Sequence, residues 1–142
     1  MPTGRFELHS RLAPDAALAV LTDFGPDRPS TWPGIDEAHY EVHDQGAGWA
    51  ELTEGNDQTW ERVRYDWDTA AGTATVKTLD SNIWAEGSGW SYRFVPDGDG
   101  SRISVSVTRV GKTTKGKLVA ALLPLVASSA LKKSFAGPLQ TS

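Results

Sequence analysis

Three groups of side chains in this chain are spaced so that they could do chemistry. His39, Glu41 and His43 alternate along one stretch, the spacing at which two imidazoles and a carboxylate on one strand face could share a metal ion. That face lies opposite Tyr40 and Val42 and reads as the solvated side of the strand, so no metal site is assigned. Asp66 and Asp68 stand beside Arg62 and Arg64 in "WERVRYDWD". Alternating charges on an exposed strand form weak cross-strand pairs rather than acid–base machinery. Glu86 and Arg109 differ from both groups, being in phase with the apolar side of their strands. They could supply placed polar groups to an interior, or reach solvent at the strand ends. "GSGW" lacks the last glycine of a nucleophile elbow and no helix follows it, so no serine nucleophile is assigned. No glycine-rich phosphate loop follows a strand, and nothing in the chain calls for a cofactor.

The elements that must position these groups follow from periodicity. "RFELHSR" alternates as a strand, and "APDAALAVLTDF" reads as a helix over about Pro14 to Thr22, with Pro14 in its first turn. The Pro-rich "GPDRPSTWPG" allows only a short helical turn or loop. From Ile35 onward the period is two. Six further strands joined by tight turns, including "DGDG", imply an antiparallel meander. "IWAEGSGWSYRFVP" is taken as one strand in which Gly87 and Gly89 mark a bend or a close backbone approach.

Near the C-terminus stands "KGKLVAALLPLVASSALKK". Leu118 to Leu131 is fourteen residues, about 21 Å of helix, too short for a hydrocarbon core about 30 Å thick. A helical wheel gathers Leu118, Val119, Leu122, Leu123, Leu125 and Val126 on one face, with Ala120, Pro124, Ala127 and Ser128 opposite. The large side chains are expected to pack on the sheet, and Pro124 to kink the helix. The alternative is an interfacial helix whose flanking lysines touch headgroups in transient membrane contact.

The totals bound the rest. At 142 residues the chain is read as one domain over 1–142, with a net charge of −4 and no cysteine. That balance argues against nucleic acid, which requires clustered basic residues. "MPTGRFELHS" lacks the apolar core of a signal peptide, so a cytoplasmic address is expected. Six tryptophans provide much apolar area with polar handles. Oligomeric state is not written in the sequence.

Two stretches resemble a known family. "LAPDAALAVLTDF" followed by "WPGI", and "GSGWSYRFVPDGDGSRISVSVTR", look like the START/Bet v1-like (SRPBCC) superfamily, in its polyketide cyclase/dehydrase and lipid-transport branch. The resemblance runs from about Phe6 to Leu139. It implies an α+β helix-grip fold, a curved seven-stranded antiparallel sheet wrapped around a long C-terminal helix. It also implies a cavity between them for a small hydrophobic, lipid-like or aromatic, polyketide-like ligand. The first helix departs from the pattern, carrying Leu18, Ala19 and Val20 where relatives often carry a large aromatic. Strand parity sends Tyr40, Val63, Tyr65, Trp67, Val76, Trp90, Tyr92 and Phe94 inward, with Glu86 and Arg109 in phase and Leu118, Leu122 and Leu125 opposite. A core filled by these aromatics is the competing arrangement; a usable chamber should exceed roughly 300 Å³. The alternative function is a cyclase- or dehydratase-type enzyme, in which the same cavity orders a flexible chain and Tyr65, Glu86 or Arg109 assists proton transfer.

Overall fold

The structure is a computed structural model that describes residues 3–126 and 131–141, without the side chains of 123–126. The elements are β1 (Thr3–Ser10), α1 (Pro14–Leu21), α2 (Arg28–Thr31), a 3-10 turn (Glu37–His39), β2 (Glu41–Gly46), β3 (Trp49–Gly55), β4 (Trp60–Asp68), β5 (Thr73–Ser81), β6 (Gly89–Asp97), β7 (Gly100–Thr108), α3 (Thr114–Val126) and α4 (Lys132–Ala136). All seven strands form one antiparallel sheet in the order β1-β7-β6-β5-β4-β3-β2. The meander from β2 to β7 is sequential, and β1 closes onto the last strand. Register shifts between Arg62 and Val63 and between Val42 and Asp44 bend the sheet where extra residues are accommodated.

Alternation along the strands gives the sheet one buried and one wet face. Phe6, Leu8, Leu52, Val63, Tyr65, Val76, Tyr92, Phe94, Ile103, Val105 and Val107 are buried in a single cluster. On the opposite face Arg64 pairs with Asp66 at 3.0 Å in solvent, the weak surface pairing expected there. α1 starts on Pro14 after an extended Ala13 and buries Ala17, Leu18 and Leu21 against β6 and β7.

The expected elements are largely present, with two corrections along the strands. The stretch taken as one strand from Ile83 is a loop followed by β6, which starts only at Gly89. Gly87 adopts φ 97°, a left-handed conformation that suits glycine and breaks strand parity. A Cβ on Gly89 would lie 2.3 Å from the Val76 carbonyl oxygen, so the second glycine permits a close backbone approach. His39 ends the 3-10 turn instead of opening β2.

The C-terminal helix is rotated relative to the expectation. Leu118, Val119 and Leu122 are 65%, 44% and 54% exposed, whereas Ala120 is buried with Ile83 and Trp84. The cause lies one turn earlier. A Cβ on Gly116 would sit 2.2 Å from the Ile83 carbonyl oxygen, and one on Gly111 would sit 2.4 Å from the Lys117 nitrogen. The glycine face of the helix must therefore meet the β5–β6 connection backbone to backbone. Gly116 and Ala120 lie on one face at i, i+4, so fixing the first inward carries the second in and turns the leucines out. Leu118 and Leu122 do not face the sheet. Leu125, with Leu123 and Val126, lies outside the described side chains.

The place expected for those leucines is taken by α4 and the residues after it. Phe135 packs against Phe6, Trp32, Trp90 and Tyr92, with ring centroids 5.7–6.2 Å apart. Leu139 is fully buried, its carbonyl accepts from the Ser10 hydroxyl, and the Arg11 amide donates to the Gln140 carbonyl at 3.1 Å. This strap fastens the C-terminal segment to the end of β1. No described helix is long and apolar enough to cross a membrane.

Candidate ligand cavity

A cavity of about 260 Å³ lies between the buried sheet face, the α2 segment and α4. Its apolar wall is Leu21, Trp32, Ile35, Val63, Val76, Trp90, Leu131 and Phe135; its charged wall is Arg28, Glu54, Glu61 and Arg109. Parity places the two carboxylates. Glu54 follows Ala50 and Leu52 on β3, Glu61 precedes Val63 and Tyr65 on β4, and the two glutamates are cross-strand partners. Like charges directly opposite each other destabilise a strand pair, and here each glutamate has its own arginine.

Arg28, from the short Pro-rich helix, is only 4% exposed. Its Nε donates to Glu54 Oε2 at 3.0 Å, its Nη1 to the carbonyls of Leu21 and Asp23 at 2.9 and 3.0 Å, and its Nη2 to Tyr65 Oη at 3.0 Å. Tyr65 in turn donates to Glu54 Oε1 at 2.5 Å. The rings of Phe24, Trp32 and Tyr65 surround the guanidinium at 4.8–5.5 Å, within the range of cation–π attraction. Burial opposes its charge, yet Tyr65 and Glu54 outweigh burial and hold it firmly protonated.

Arg109 makes the second pair. Its Nη1 and Nη2 donate to Glu61 Oε1 and Oε2 at 2.6 and 3.1 Å, the fork geometry that favours arginine over lysine. Thr78 also donates to Glu61 Oε1 at 2.8 Å. Trp84 and Trp90 lie 4.9 and 5.1 Å from the guanidinium. Two arginines against two glutamates leave the wall without net charge. Among the described residues no buried side-chain nitrogen or oxygen lacks a hydrogen-bond partner.

Of the residues that parity sends inward, Val63, Tyr65, Val76, Trp90, Tyr92 and Arg109 line this cavity. Phe94 is buried but stacks on Tyr92 at 6.2 Å and fills core. Trp67 packs on Phe24 at 5.8 Å, and Tyr40 donates its hydroxyl to the Gly25 carbonyl at 3.1 Å; neither lines the cavity. Glu86 is exposed in the turn before β6, because the Gly87 conformation takes it out of strand phase. Leu118 and Leu122 are exposed because Gly116 fixes the helix rotation, and the Leu125 side chain lies outside those described.

Glu54 and Glu61 are additions that parity could have found, since both are in phase with buried neighbours. Arg28 sits where no periodicity exists, so no pattern could have found it. His43 pairs with Glu41 at 2.8 Å. His39 pairs with Asp36 at 2.7 Å and Asp57 at 3.2 Å, an exposed cluster apart from the cavity wall.

No protein-family model and no curated protein matches the chain. Solved structures do. A protein from Thermus thermophilus superposes with a TM-score of 0.77 at 14% identity, over 98% of this chain and 95% of that one. A START superfamily protein from Mycobacterium smegmatis gives 0.74 at 14% identity, over 97% of both chains. The Zhui aromatase/cyclase from Streptomyces sp. R1128 gives 0.68 at 17% identity, over 96% of this chain and 85% of that one. This is the START/Bet v1-like helix-grip fold. In its terms, the cavity lies where the concave sheet of the helix-grip fold meets its C-terminal segment.

Burial raises the hydroxyls of Tyr65 and Tyr92 above the ordinary tyrosine range, with the Glu54 carboxylate adding to both shifts. A raised folded-state value means that stability from these groups is complete below the unfolded value near pH 10 and is lost as pH rises above it. With two such groups, stability should fall by roughly 2.7 kcal/mol per pH unit above about pH 10. Urea titrations at a series of alkaline pH values check this, and in a Tyr40→Phe background the remaining phenolate absorbance should appear together with unfolding and not before it.

Proposed function

We propose that this helix-grip protein binds a small, uncharged aromatic or hydrophobic molecule in the cavity walled by Trp32, Trp90, Tyr92 and Phe135. The supporting observation is the wall itself, which is apolar and aromatic with its two arginines neutralised by Glu54 and Glu61. Few placed polar groups in an apolar setting are what orient a small ligand. At about 260 Å³ the cavity is below the roughly 300–1,000 Å³ of drug-sized ligands. That falls short of the chamber expected from the sequence, which weakens the case for a whole lipid or an extended polyketide chain and leaves room only for a molecule of one or two rings.

A second reading, an enzyme of the cyclase or dehydratase type, is favoured by one contact. Tyr65 stands on the cavity wall as a hydroxyl held neutral, bonded to Glu54 at 2.5 Å and to Arg28 at 3.0 Å. Turned away from Glu54, this hydroxyl would donate a hydrogen bond to a bound carbonyl compound and so orient and polarise it. Glu86, being exposed in its turn, has no part in this reading.

Native mass spectrometry of gently purified protein, followed by tryptophan fluorescence titration with single- and double-ring aromatics, tests both. Trp32 and Trp90 line the cavity, so a ligand is expected to quench emission saturably. The quenching should weaken at least about tenfold in Val76→Trp, which fills the space. Absence of saturable quenching by any such compound would sink the binding reading. For the enzyme, Tyr65→Phe should abolish turnover of a bound compound while leaving its quenching curve in place.

A further inference from the structure

Charge is distributed very unevenly along the chain. Gly111 to Ser142 holds five lysines and no acidic residue, whereas the preceding part holds nine basic and all eighteen acidic side chains. The same C-terminal segment carries the most exposed large apolar side chains among the described residues: Leu118, Leu122 and Val119, against Leu79 alone elsewhere. On α3 these three share one stripe with Lys115, at spacings of three and four residues. Lys115 and Lys117 are themselves exposed. The outward stripe is built in, because Gly116 must face the Ile83 carbonyl.

We propose that α3 docks this protein on an anionic lipid surface, lying in the plane of the interface. A helix of thirteen residues is about 20 Å long and cannot span. An apolar stripe flanked by lysines suits the boundary between headgroups and acyl chains, with the ammonium groups at phosphates and the leucines below them. The charge pattern selects this occupant over a second copy of the chain. A two-fold interface through α3 would set one lysine-rich face against an identical one, whereas a bilayer rich in anionic lipid offers the opposite charge. The rest of the molecule, with its excess of carboxylates, would be repelled by that surface and so would orient the protein with α3 down. The inference is independent of what the cavity holds.

The test is co-sedimentation of the full chain with vesicles of phosphatidylcholine alone, or containing about one third phosphatidylserine. Binding is expected to the anionic vesicles only, and to weaken as salt is raised. Leu118→Ser with Leu122→Ser should weaken it at least about tenfold through lost apolar burial. Lys115→Glu with Lys117→Glu should weaken it at least about tenfold through charge. All four positions are exposed, so both variants should keep the wild-type circular dichroism and melting midpoint. Equal binding to both vesicle types, no binding to either, or retention by either variant overturns the proposal. So does a wild-type dimer in sedimentation velocity that becomes monomeric in the leucine variant, since the stripe would then be a subunit contact.

Discussion

Arg28→Ala is expected to lower the unfolding free energy by about 3–5 kcal/mol, the cost of stranding one member of a buried ion pair. Glu54 would keep only the Tyr65 hydroxyl, and the carbonyls of Leu21 and Asp23 would lose the Nη1 donor they share. The rings of Phe24 and Trp32 would lose their cation as well. The pair is not thereby a large net source of stability, because desolvating two charges offsets most of their attraction. The double variant Arg28→Met with Glu54→Met should therefore recover most of the loss, leaving a deficit of roughly 1–2 kcal/mol. Urea denaturation of the three proteins provides the comparison. A single-variant cost below about 1 kcal/mol would place Arg28 among ordinary surface-like pairs.

Gly116→Ala gives a prediction whose sign is contested by two effects. Helix propensity alone favours alanine, by about 1 kcal/mol in a helix interior and by less in the first turn, where Gly116 stands. Against this, the added methyl would lie 2.2 Å from the Ile83 carbonyl oxygen and 3.4 Å from the Gly111 Cα. The first is a backbone atom that cannot rotate aside. Overpacking typically costs about 1–3 kcal/mol, and here relief requires moving the start of α3 away from the β5–β6 connection. Contact should win, with a net loss of about 2 kcal/mol or more and faster amide exchange along α3. A rise in melting temperature would show that propensity governs and that the helix is not locked by this contact. Gly137→Ala is a suitable control, because a Cβ there meets nothing within 4 Å.

These two residues also show where sequence reading succeeds and where it stops. Period-two alternation locates seven strands, because the strands other than the exposed β2 have one more buried and one wetter face and the side-chain period records that directly. It places Val63, Tyr65, Val76, Trp90, Tyr92 and Arg109 on what is the cavity wall. It fails at Glu86, where a single positive-φ glycine, Gly87, resets the phase. It also fails on α3, where the wheel sends Leu118, Val119 and Leu122 to the wrong side. Bulk hydrophobicity argues for burying Leu118 and Leu122, while one glycine contact fixes the rotation, and a contact between Gly116 and a carbonyl far along the chain leaves no trace in local pattern. Arg28 is out of reach for a related reason. Its environment is assembled from Leu21, Asp23, Glu54 and Tyr65, which converge only once the sheet and α2 are in place.

The pairing of β1 with β7 has a kinetic side. Thr3 meets Thr108 across 105 residues, and the strap from Leu139 to Thr141 fastens to Ser10 and Arg11 later still. On a ribosome β1 emerges with no partner available and must wait for β7, across the 105 residues that separate Thr3 from Thr108. The meander from β2 to β7 can zip hairpin by hairpin, but the β1 edge of the sheet cannot form until β7 has been made. Refolding should accordingly be slow for a chain of this size, in milliseconds to seconds as non-local pairing dictates, with β1 the last strand to gain exchange protection.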